Sequence, residues 1–395
     1  MIITVVGQGY VGLPLSIAAS NAGFFVHGFD NNEEKIQSLK SGKSRIEDIT
    51  DFELEQSIKL KKYTPTSNEQ VISKSEIVLV CVPTPLSSNH EPDLSALISA
   101  TTSIGKNLKP NTLVIIESTI EPGTCRNLIL PILIRESGLN PDLIELAYSP
   151  ERVDPTNKKW NIQNTPKIVA GLTESAANKA KEFYEKFVDT LITCSSVEIA
   201  ETAKLLENSF RLINISFVNE LAIFCNKIGI EVTEVIAAAS TKPYGFMSFY
   251  PSLGAGGHCI PVDPIYLANA AKTAGATIRL VAVADEINQA MPGYFIRRAE
   301  QELGVLSDKR ILVIGVAYKP NIADFRESPV DSLISGLKQK GAEVFWHDDL
   351  VNEWNGEKSV ALSSDFDLAI MATPHDYLDL TNLGNVPILN TRGSI

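Results

Sequence analysis

The stretch Gly256-Gly257-His258-Cys259-Ile260-Pro261-Val262-Asp263-Pro264 sets one cysteine behind a glycine pair, with an acid four residues further on. A thiol in that setting is either a nucleophile or a metal ligand. The amino terminus narrows the choice, because Gly7-Gln8-Gly9-Tyr10-Val11-Gly12 is a glycine pattern that opens a nicotinamide-type site. A cofactor that takes hydride, joined to a cysteine that can hold an aldehyde, points to oxidation of an alcohol past the aldehyde to an acid. Free cysteines are commonly inert buried hydrophobes. Here Leu253-Gly254-Ala255-Gly256-Gly257 is flexible loop chemistry, whose backbone amides can face an oxyanion. A thiol of pKa ~8.5 is only slightly ionised at neutral pH, so a nearby cation is needed to lower it. His258 is adjacent to the thiol, and neighbouring side chains point apart. It is read as structural or substrate-contacting, not as the catalytic base.

Gly7, Gly9 and Gly12 follow a predicted strand and open a predicted helix. The first glycine makes the turn, the second admits the pyrophosphate, and the third packs helix on strand. Asp30 ends the second strand, where a carboxylate binds the adenosine ribose 2′-hydroxyl and repels a 2′-phosphate. NAD is therefore expected over NADP. Val82-Pro83-Thr84-Pro85 and Glu117-Ser118-Thr119 each follow a strand, at the sheet end where ligands sit; taken alone, Thr84 and Thr119 are turn or cap hydroxyls. Lys204, Asn208 and Arg211 share one helix face. They are either a solvated face or an ammonium, an amide and a guanidinium presented from one rigid element, and periodicity does not decide between these.

These residues need elements to position them. Ile2–Val6, Phe25–Phe29, Ile77–Val82, Leu113–Ile116 and Ile168–Ala170 read as buried strands alternating with helices, which gives βαβ units and a parallel sheet. From Glu198 to Ile230, apolar residues Ile199, Ala203, Leu206, Phe210, Ile213, Phe217, Leu221 and Phe224 recur at steps of three and four. That is one face of a helix far longer than a domain normally holds, a connector or a dimer spine. A second βαβ pattern starts at Lys309, with strands Arg310–Val316, Ala342–His347, Asp367–Ala372 and Val386–Leu389. The expected fold is α/β, two Rossmann-like parallel-sheet domains joined by a long central helix. The expected boundaries are 1–195 for the NAD-binding domain, 196–297 for a central helical dimerisation domain carrying the cysteine loop, and 298–395 for an α/β domain that takes the substrate nucleotide. No internal repeat is evident in the sequence.

Composition limits the partners. The chain has 395 residues, 44% apolar and 21% charged, as in a globular enzyme. Its net charge of −12, without a basic tract, argues against nucleic acid and requires any phosphate site to be built from local basic groups. No apolar run reaches the ~18 residues of a membrane span. The first residues read as a strand, not a leader, because they lack a charged start and run into the glycine turn. Five cysteines without CxxC pairs argue against a disulfide framework and a structural metal, and point to a reducing cytoplasm.

Taken together, the motifs resemble the UDP-sugar 6-dehydrogenases of the UDP-glucose/GDP-mannose dehydrogenase family. The resemblance runs through the glycine fingerprint, Val82-Pro-Thr-Pro, Glu117-Ser-Thr, Pro122-Gly-Thr, Ser149-Pro-Glu-Arg-Val-Asp-Pro155 and Lys204 with Asn208. It continues through the cysteine loop, Glu286-Ile-Asn288 before Met291-Pro292, Gly315-Val-Ala-Tyr-Lys-Pro-Asn321 and Asp324-Phe-Arg-Glu-Ser-Pro329. It implies a four-electron oxidation using two NAD per substrate. Cys259 would attack the C6 aldehyde, and water would hydrolyse a thioester. Lys204 would stabilise the oxyanion, Asn208 would hold the sugar 6-position, and Asp263 and Glu151 would handle protons. Thr119 would lie near the transferring hydride.

The resemblance further implies cofactor contacts at Gly7, Gly9, Tyr10, Val11, Gly12, Asp30, Lys35, Thr84, Thr119 and Arg326, the last toward a partner subunit's cofactor. UDP-sugar contacts are implied at Glu151, Arg152, Lys204, Asn208, Arg211, Tyr250, Gly256, Tyr318, Lys319 and Arg392. Members are dimers through the long helix. Gly-Gly-His-Cys-Ile-Pro-Val-Asp, Ser149–Pro155 and Phe249-Tyr250-Pro251 are in the style of the N-acetylhexosamine branch, with N-acetylglucosamine ahead of N-acetylmannosamine and glucose. Ala255 stands where many relatives carry proline, and relatives often continue past the position of Ile395; substrate closure is expected to be weaker if a C-terminal segment is missing. A two-electron hydroxyacid dehydrogenase would need neither Cys259 nor residues 309–395. A silent UDP-sugar-binding protein would usually have lost the lysine or the thiol.

Overall fold

A computed structural model describes residues 1–46, 48–154, 157 and 159–393. It comprises two compact units, Met1–Leu206 and Glu207–Ile395. The first unit contains strands β1 (Ile2–Val6), β2 (Phe25–Phe29), β3 (Tyr63–Thr66), β4 (Ile77–Val80), β5 (Leu113–Ile116), β6 (Glu145–Tyr148), β7 (Lys167–Gly171) and β8 (Leu191–Thr193). Their order in the sheet is β3-β2-β1-β4-β5-β6-β7-β8, parallel throughout except that β7 runs antiparallel to β6. The order reverses between β1 and β4, which is where an open α/β sheet forms its ligand crevice.

The central strands are apolar on both sides because helices cover both faces. Ile3, Val5, Ile77 and Leu79 point to a core shared with α1 (Gly12–Asn21), α2 (Glu33–Lys40), α3 (Asp51–Lys59) and α6 (Glu174–Tyr184). Val6, Val78 and Val80 point to the opposite core, with α4 (Ser95–Asn107), α5 (Leu130–Ser137) and the start of α7 (Val197–Ile228). The alternation along each strand is the period-two pattern of a pleated sheet.

In the second unit α7 continues, followed by α8 (Val232–Ser240), α9 (Asp263–Thr273) and α10 (Arg279–Leu303). Strands β9 (Arg310–Ile314), β10 (Glu343–His347), β13 (Leu368–Met371) and β14 (Ile388–Asn390) form a parallel sheet in the order β10-β9-β13-β14. The helix α11 (Val330–Gln339) and α10 cover one face, and β11 (Glu353–Trp354) pairs with β12 (Glu357–Lys358) as a short ribbon.

The small sheet repeats the strand order of part of the large one, a likeness that the sequence does not display. β10-β9-β13-β14 corresponds to β2-β1-β4-β5. Gly7 N donates to Phe29 O at 2.8 Å, and Gly315 N donates to His347 O at 2.8 Å. A Cβ on Gly7 would lie 2.6 Å from Cys81 O, and one on Gly315 would lie 2.0 Å from Thr373 O. Both glycines have positive φ and no room for a side chain.

The long helix spans 32 residues, about 48 Å of axis. Its apolar stripe is not core. Ile199, Leu206, Phe210, Phe217 and Phe224 are exposed, Phe217 at 65%, whereas Ala200, Leu205, Leu212, Val218 and Cys225 are the buried set. Among the described residues no helix is long and apolar enough to cross a membrane.

Candidate active site

The loop between β1 and α1 has the geometry of a phosphate cradle. A Cβ on Gly12 would lie 1.8 Å from Gly7 O, whereas one on Gly9 would meet nothing within 4 Å. Gly9 therefore faces open space, as a position that a pyrophosphate approaches must. Helix α1 starts without a side-chain cap and without an acid in its first turn, an arrangement suited to an anion at a helix N-terminus. Asp30 is buried at the end of β2; its carboxylate accepts from Gln8 N at 2.8 Å, Asn32 N at 3.0 Å and Lys35 Nζ at 2.7 Å. Tyr10 and Val11 in the glycine loop are half-buried, as is Thr84 beyond β4. These residues fit a dinucleotide that carries a ribose diol.

Gln8 is a contributor the sequence reading missed. Its buried amide donates to Val5 O at 2.9 Å and accepts from Tyr63 OH at 2.7 Å, bracing the glycine loop from below. Its only sequence signal is a polar residue inside the fingerprint.

At the far ends of β5 and β6 the chain buries charge. Lys167 Nζ lies 2.7 Å from Glu117 Oε2 and donates to Pro150 O at 3.1 Å; Tyr184 OH bonds the other Glu117 oxygen. Burial pushes the Glu117 carboxyl above the usual range, against the pull of Lys167. Half-buried Thr119 follows directly. Lys204 is itself buried at 8% exposure and donates to Glu151 O at 2.7 Å. Two lysines from different elements thus hold consecutive carbonyls, Pro150 and Glu151. The Glu151 carboxylate accepts from Arg152 N at 2.6 Å and also from Val153 N, and Arg152 Nη1 donates to Pro166 O at 2.6 Å. Pro155, the end of this motif, lies outside the described residues. The Pro122-Gly-Thr motif also has a partner: buried Glu201 on α7 accepts from Gly123 N at 2.6 Å and Cys125 N at 3.0 Å.

In the second unit Cys259 is exposed, while Cys81, Cys125 and Cys225 are buried and Cys194 is intermediate. Cys259 O accepts from Asp263 N at 3.0 Å, closing the turn that starts α9. The Asp263 side chain is buried and accepts from Asn208 Nδ2 at 2.6 Å. The glycines of the loop serve close packing more than flexibility. A Cβ on Gly256 would lie 2.7 Å from Glu327 O, and one on Gly257 would lie 2.8 Å from the Tyr318 ring. Asn288 clamps Ala255 from both sides, donating to its carbonyl at 3.1 Å and accepting its N–H at 2.6 Å.

Lys204 and Asn208 are buried, so the solvated-face account of these two fails; Arg211 and Tyr250 are exposed. Tyr318 and Lys319 are half-buried on the loop after β9, and exposed Arg326 pairs with Asp324 at 2.8 Å through Nε. Arg392 is half-buried after β14, where burial lowers its guanidinium pKa. Glu151, Arg152, Thr119 and Lys204 are therefore on the first unit, and Cys259, Asp263 and Asn208 on the second. Among the described residues no group of His, Cys, Asp or Glu is arranged to hold a metal ion.

Comparison with known proteins gives this arrangement a class. Residues 1–188 match the NAD binding domain of the UDP-glucose/GDP-mannose dehydrogenase family, 198–290 its central domain and 312–389 its UDP binding domain. The chain belongs to this family and is an NAD-dependent UDP-sugar dehydrogenase. It is 34% identical over 359 residues to UDP-N-acetyl-D-glucosamine 6-dehydrogenase of Pseudomonas aeruginosa, covering 89% of this chain and 82% of that one. It is likewise 34% identical over 381 residues to UDP-N-acetyl-D-mannosamine dehydrogenase of Pyrococcus horikoshii, covering 95% and 90%. A solved structure described as the UDP-D-ManNAc dehydrogenase of that archaeon superposes with TM-score 0.91 at 32% identity, covering 99% of this chain and 95% of that one.

Proposed function

We propose that the protein oxidises the C6 hydroxyl of a UDP-N-acetylhexosamine, UDP-N-acetylglucosamine in the first place, to the uronic acid in a four-electron reaction. The observation that carries this reading is an exposed Cys259 one turn before Asp263, whose buried carboxylate is held by Asn208. Relatives that act on N-acetylhexosamine nucleotides support the substrate class. The likeness to the mannosamine enzyme of Pyrococcus horikoshii favours UDP-N-acetylmannosamine as the second reading.

NAD, when bound, supplies the electron acceptor. The remaining work falls to the chain. Asn208 turns its Nδ2 to Asp263, so its Oδ1 is directed elsewhere and can accept a hydrogen bond from the 6-hydroxyl, whose proton passes to Asp263 as C6 gives up hydride. After the first oxidation the Cys259 sulfur adds to the aldehyde carbon, forming a C–S bond as the carbonyl oxygen takes the charge. Lys204 balances that oxyanion with its ammonium. Loss of two further electrons leaves a thioester. Water then adds to its carbonyl, the C–S bond breaks, and the acid departs while the thiol is regenerated. Glu151 and Asp263 take the protons from the water and return one to the Cys259 sulfur.

Residues 1–195, 196–297 and 298–395 are proposed as the functional divisions. Gly7, Gly9, Gly12, Asp30 and Lys35 hold the cofactor, and Tyr318, Lys319 and Arg392 hold the nucleotide-sugar. The exposed apolar stripe of α7 supports a homodimer. The five cysteines, scattered without CxxC spacing, support a reducing, cytoplasmic setting.

The test is NADH formed per substrate consumed, with UDP-N-acetylglucosamine, UDP-N-acetylmannosamine and UDP-glucose in parallel. Two NADH with one N-acetyl sugar is expected, and Cys259→Ser should abolish acid formation. One NADH per sugar would remove the thioester from the scheme, and none with any sugar would leave a binding protein.

A further inference from the structure

The second lobe treats its acid differently from the first. Asp348 ends β10 as Asp30 ends β2, and Val316 N donates to Asp348 Oδ2 at 2.9 Å as Gln8 N donates to Asp30 at 2.8 Å. Around Asp30 the remaining side-chain partner is Lys35, a long chain that is one-third exposed. Around Asp348 it is His375, a ring only 4% exposed, whose Nε2 lies 2.9 Å from Asp348 Oδ1. That same oxygen also accepts from Leu350 N at 2.9 Å and Val351 N at 3.0 Å. Asp348 thus holds four internal donors, three of them on Oδ1, where Asp30 holds three.

The other ring nitrogen determines the tautomer. Asn321 N donates to His375 Nδ1 at 2.9 Å, so Nδ1 carries a lone pair and the proton resides on Nε2, pointing at Asp348. Asn321 is in the left-handed region at φ +64°. Its side chain is locked to the residue after His375: Nδ2 donates to Asp376 Oδ2 at 2.7 Å, and Asp376 N donates to Oδ1 at 3.1 Å. The Tyr377 ring stacks on His375 with centroids 5.6 Å apart. One buried imidazole therefore joins the turn after β10 to the loop Gly315–Asn321, which carries Tyr318 and Lys319.

We propose that His375, as the neutral Nε2–H tautomer, is the positioning residue that holds the Gly315–Asn321 loop ready for the UDP moiety. The proposal rests on the reading that this lobe receives the nucleotide of the substrate. His375 touches no substrate in this role; it acts through Asn321 and Asp348.

The test uses the full chain. Calorimetric titration with UDP and, separately, with NAD is run on wild type, His375→Phe and His375→Gln, alongside ¹⁵N spectra of the wild-type imidazoles. The phenyl ring keeps the stack on Tyr377 but makes neither hydrogen bond. UDP binding should weaken about tenfold in His375→Phe while NAD binding stays within twofold, and His375→Gln, which can restore one bond, should fall between. The spectra should show an unprotonated Nδ1 and a protonated Nε2. If the phenylalanine variant does not fold, the glutamine variant and the spectra decide. A protonated Nδ1, or UDP affinity in a folded variant equal to wild type, would overturn the proposal. Wild-type protein that fails to bind UDP at all would instead overturn the nucleotide-sugar reading of the lobe, and its dependent clause here with it.

Discussion

Asn208 on α7 and Asp263 at the start of α9 share a 2.6 Å hydrogen bond in which the amide donates and the buried carboxylate accepts. An ionised carboxylate cannot donate, so this bond fixes which way the amide faces. Asn208→Leu should leave Asp263 buried without that donor and cost about 1–3 kcal/mol of stability, read by urea unfolding. Asn208→Asp would set two carboxylates against each other and should lower kcat further than it lowers stability. If Asn208→Leu unfolds at the wild-type urea midpoint, the pair contributes nothing to the unit.

The glycines of the fingerprint should separate into two classes. Gly9→Ala meets open space and should melt within a few degrees of wild type, yet raise the KM for NAD by an order of magnitude or more. Gly12→Ala drives a methyl to 1.8 Å from Gly7 O and should yield little folded protein. Equal melting temperatures for the two variants would contradict the geometry of the loop.

The sequence made the ends of this chemistry legible and left the middle obscure. The glycine fingerprint, the continuous apolar strands and the three-four rhythm of α7 each follow from local periodicity, and β1, β2, β5 and α7 appear where that periodicity puts them. β3 carries Pro65 and β6 begins with Glu145, so neither shows an uninterrupted apolar run, and both escaped the pattern. The strand expected through Val82 stops at Val80, and a Cβ on Gly7 would lie 2.6 Å from the carbonyl of Cys81 just beyond it. What no local pattern can carry is pairing across the fold. Lys167 finds Glu117 fifty positions away, and His375 finds Asp348. Lys167, Asp348 and His375 read in sequence as ordinary polar residues, and the motif at Glu117 does not name its partner. The α7 stripe shows the converse: its rhythm was plain, but only the structure shows that the stripe faces outward.

Thiol chemistry should isolate Cys259. Titration of the native protein with an aromatic disulfide should consume one thiol rapidly and Cys194 more slowly. Cys81 and Cys125 are buried, and burial pushes both thiols well above their ordinary range, so they should react only after denaturation. Cys259→Ser should remove the fast phase alone. A fast phase that survives the substitution would place the reactive thiol elsewhere.

The Glu117–Lys167 pair invites a double substitution. Lys167→Met strands a buried carboxylate and should cost about 3–5 kcal/mol. Adding Glu117→Leu removes the stranded charge and should recover most of that loss. Activity should not recover with it, because Pro150 O has lost the ammonium that holds the segment next to Glu151. Recovery of kcat together with stability would make the pair a packing element without influence on the site.

Acid titration should expose the Asp348 network. Burial alone would raise this carboxyl, but the hydrogen bonds from His375 and from the N–H groups of Val316 and Leu350 outweigh it and hold the carboxyl below the usual carboxylate range. A folded-state value below the unfolded one, ~3.9 for Asp, means the stabilisation is fully present above pH ~4 and is lost as pH falls through the depressed folded value. The difference in melting temperature between wild type and Asp348→Asn should therefore be widest near neutrality and shrink once the pH drops below about 4. Calorimetric scans at closely spaced pH values across that range measure it directly. A difference that stays constant through the acid range would mean that Asp348 is not the depressed group and that the four hydrogen bonds converging on it do not favour its charge.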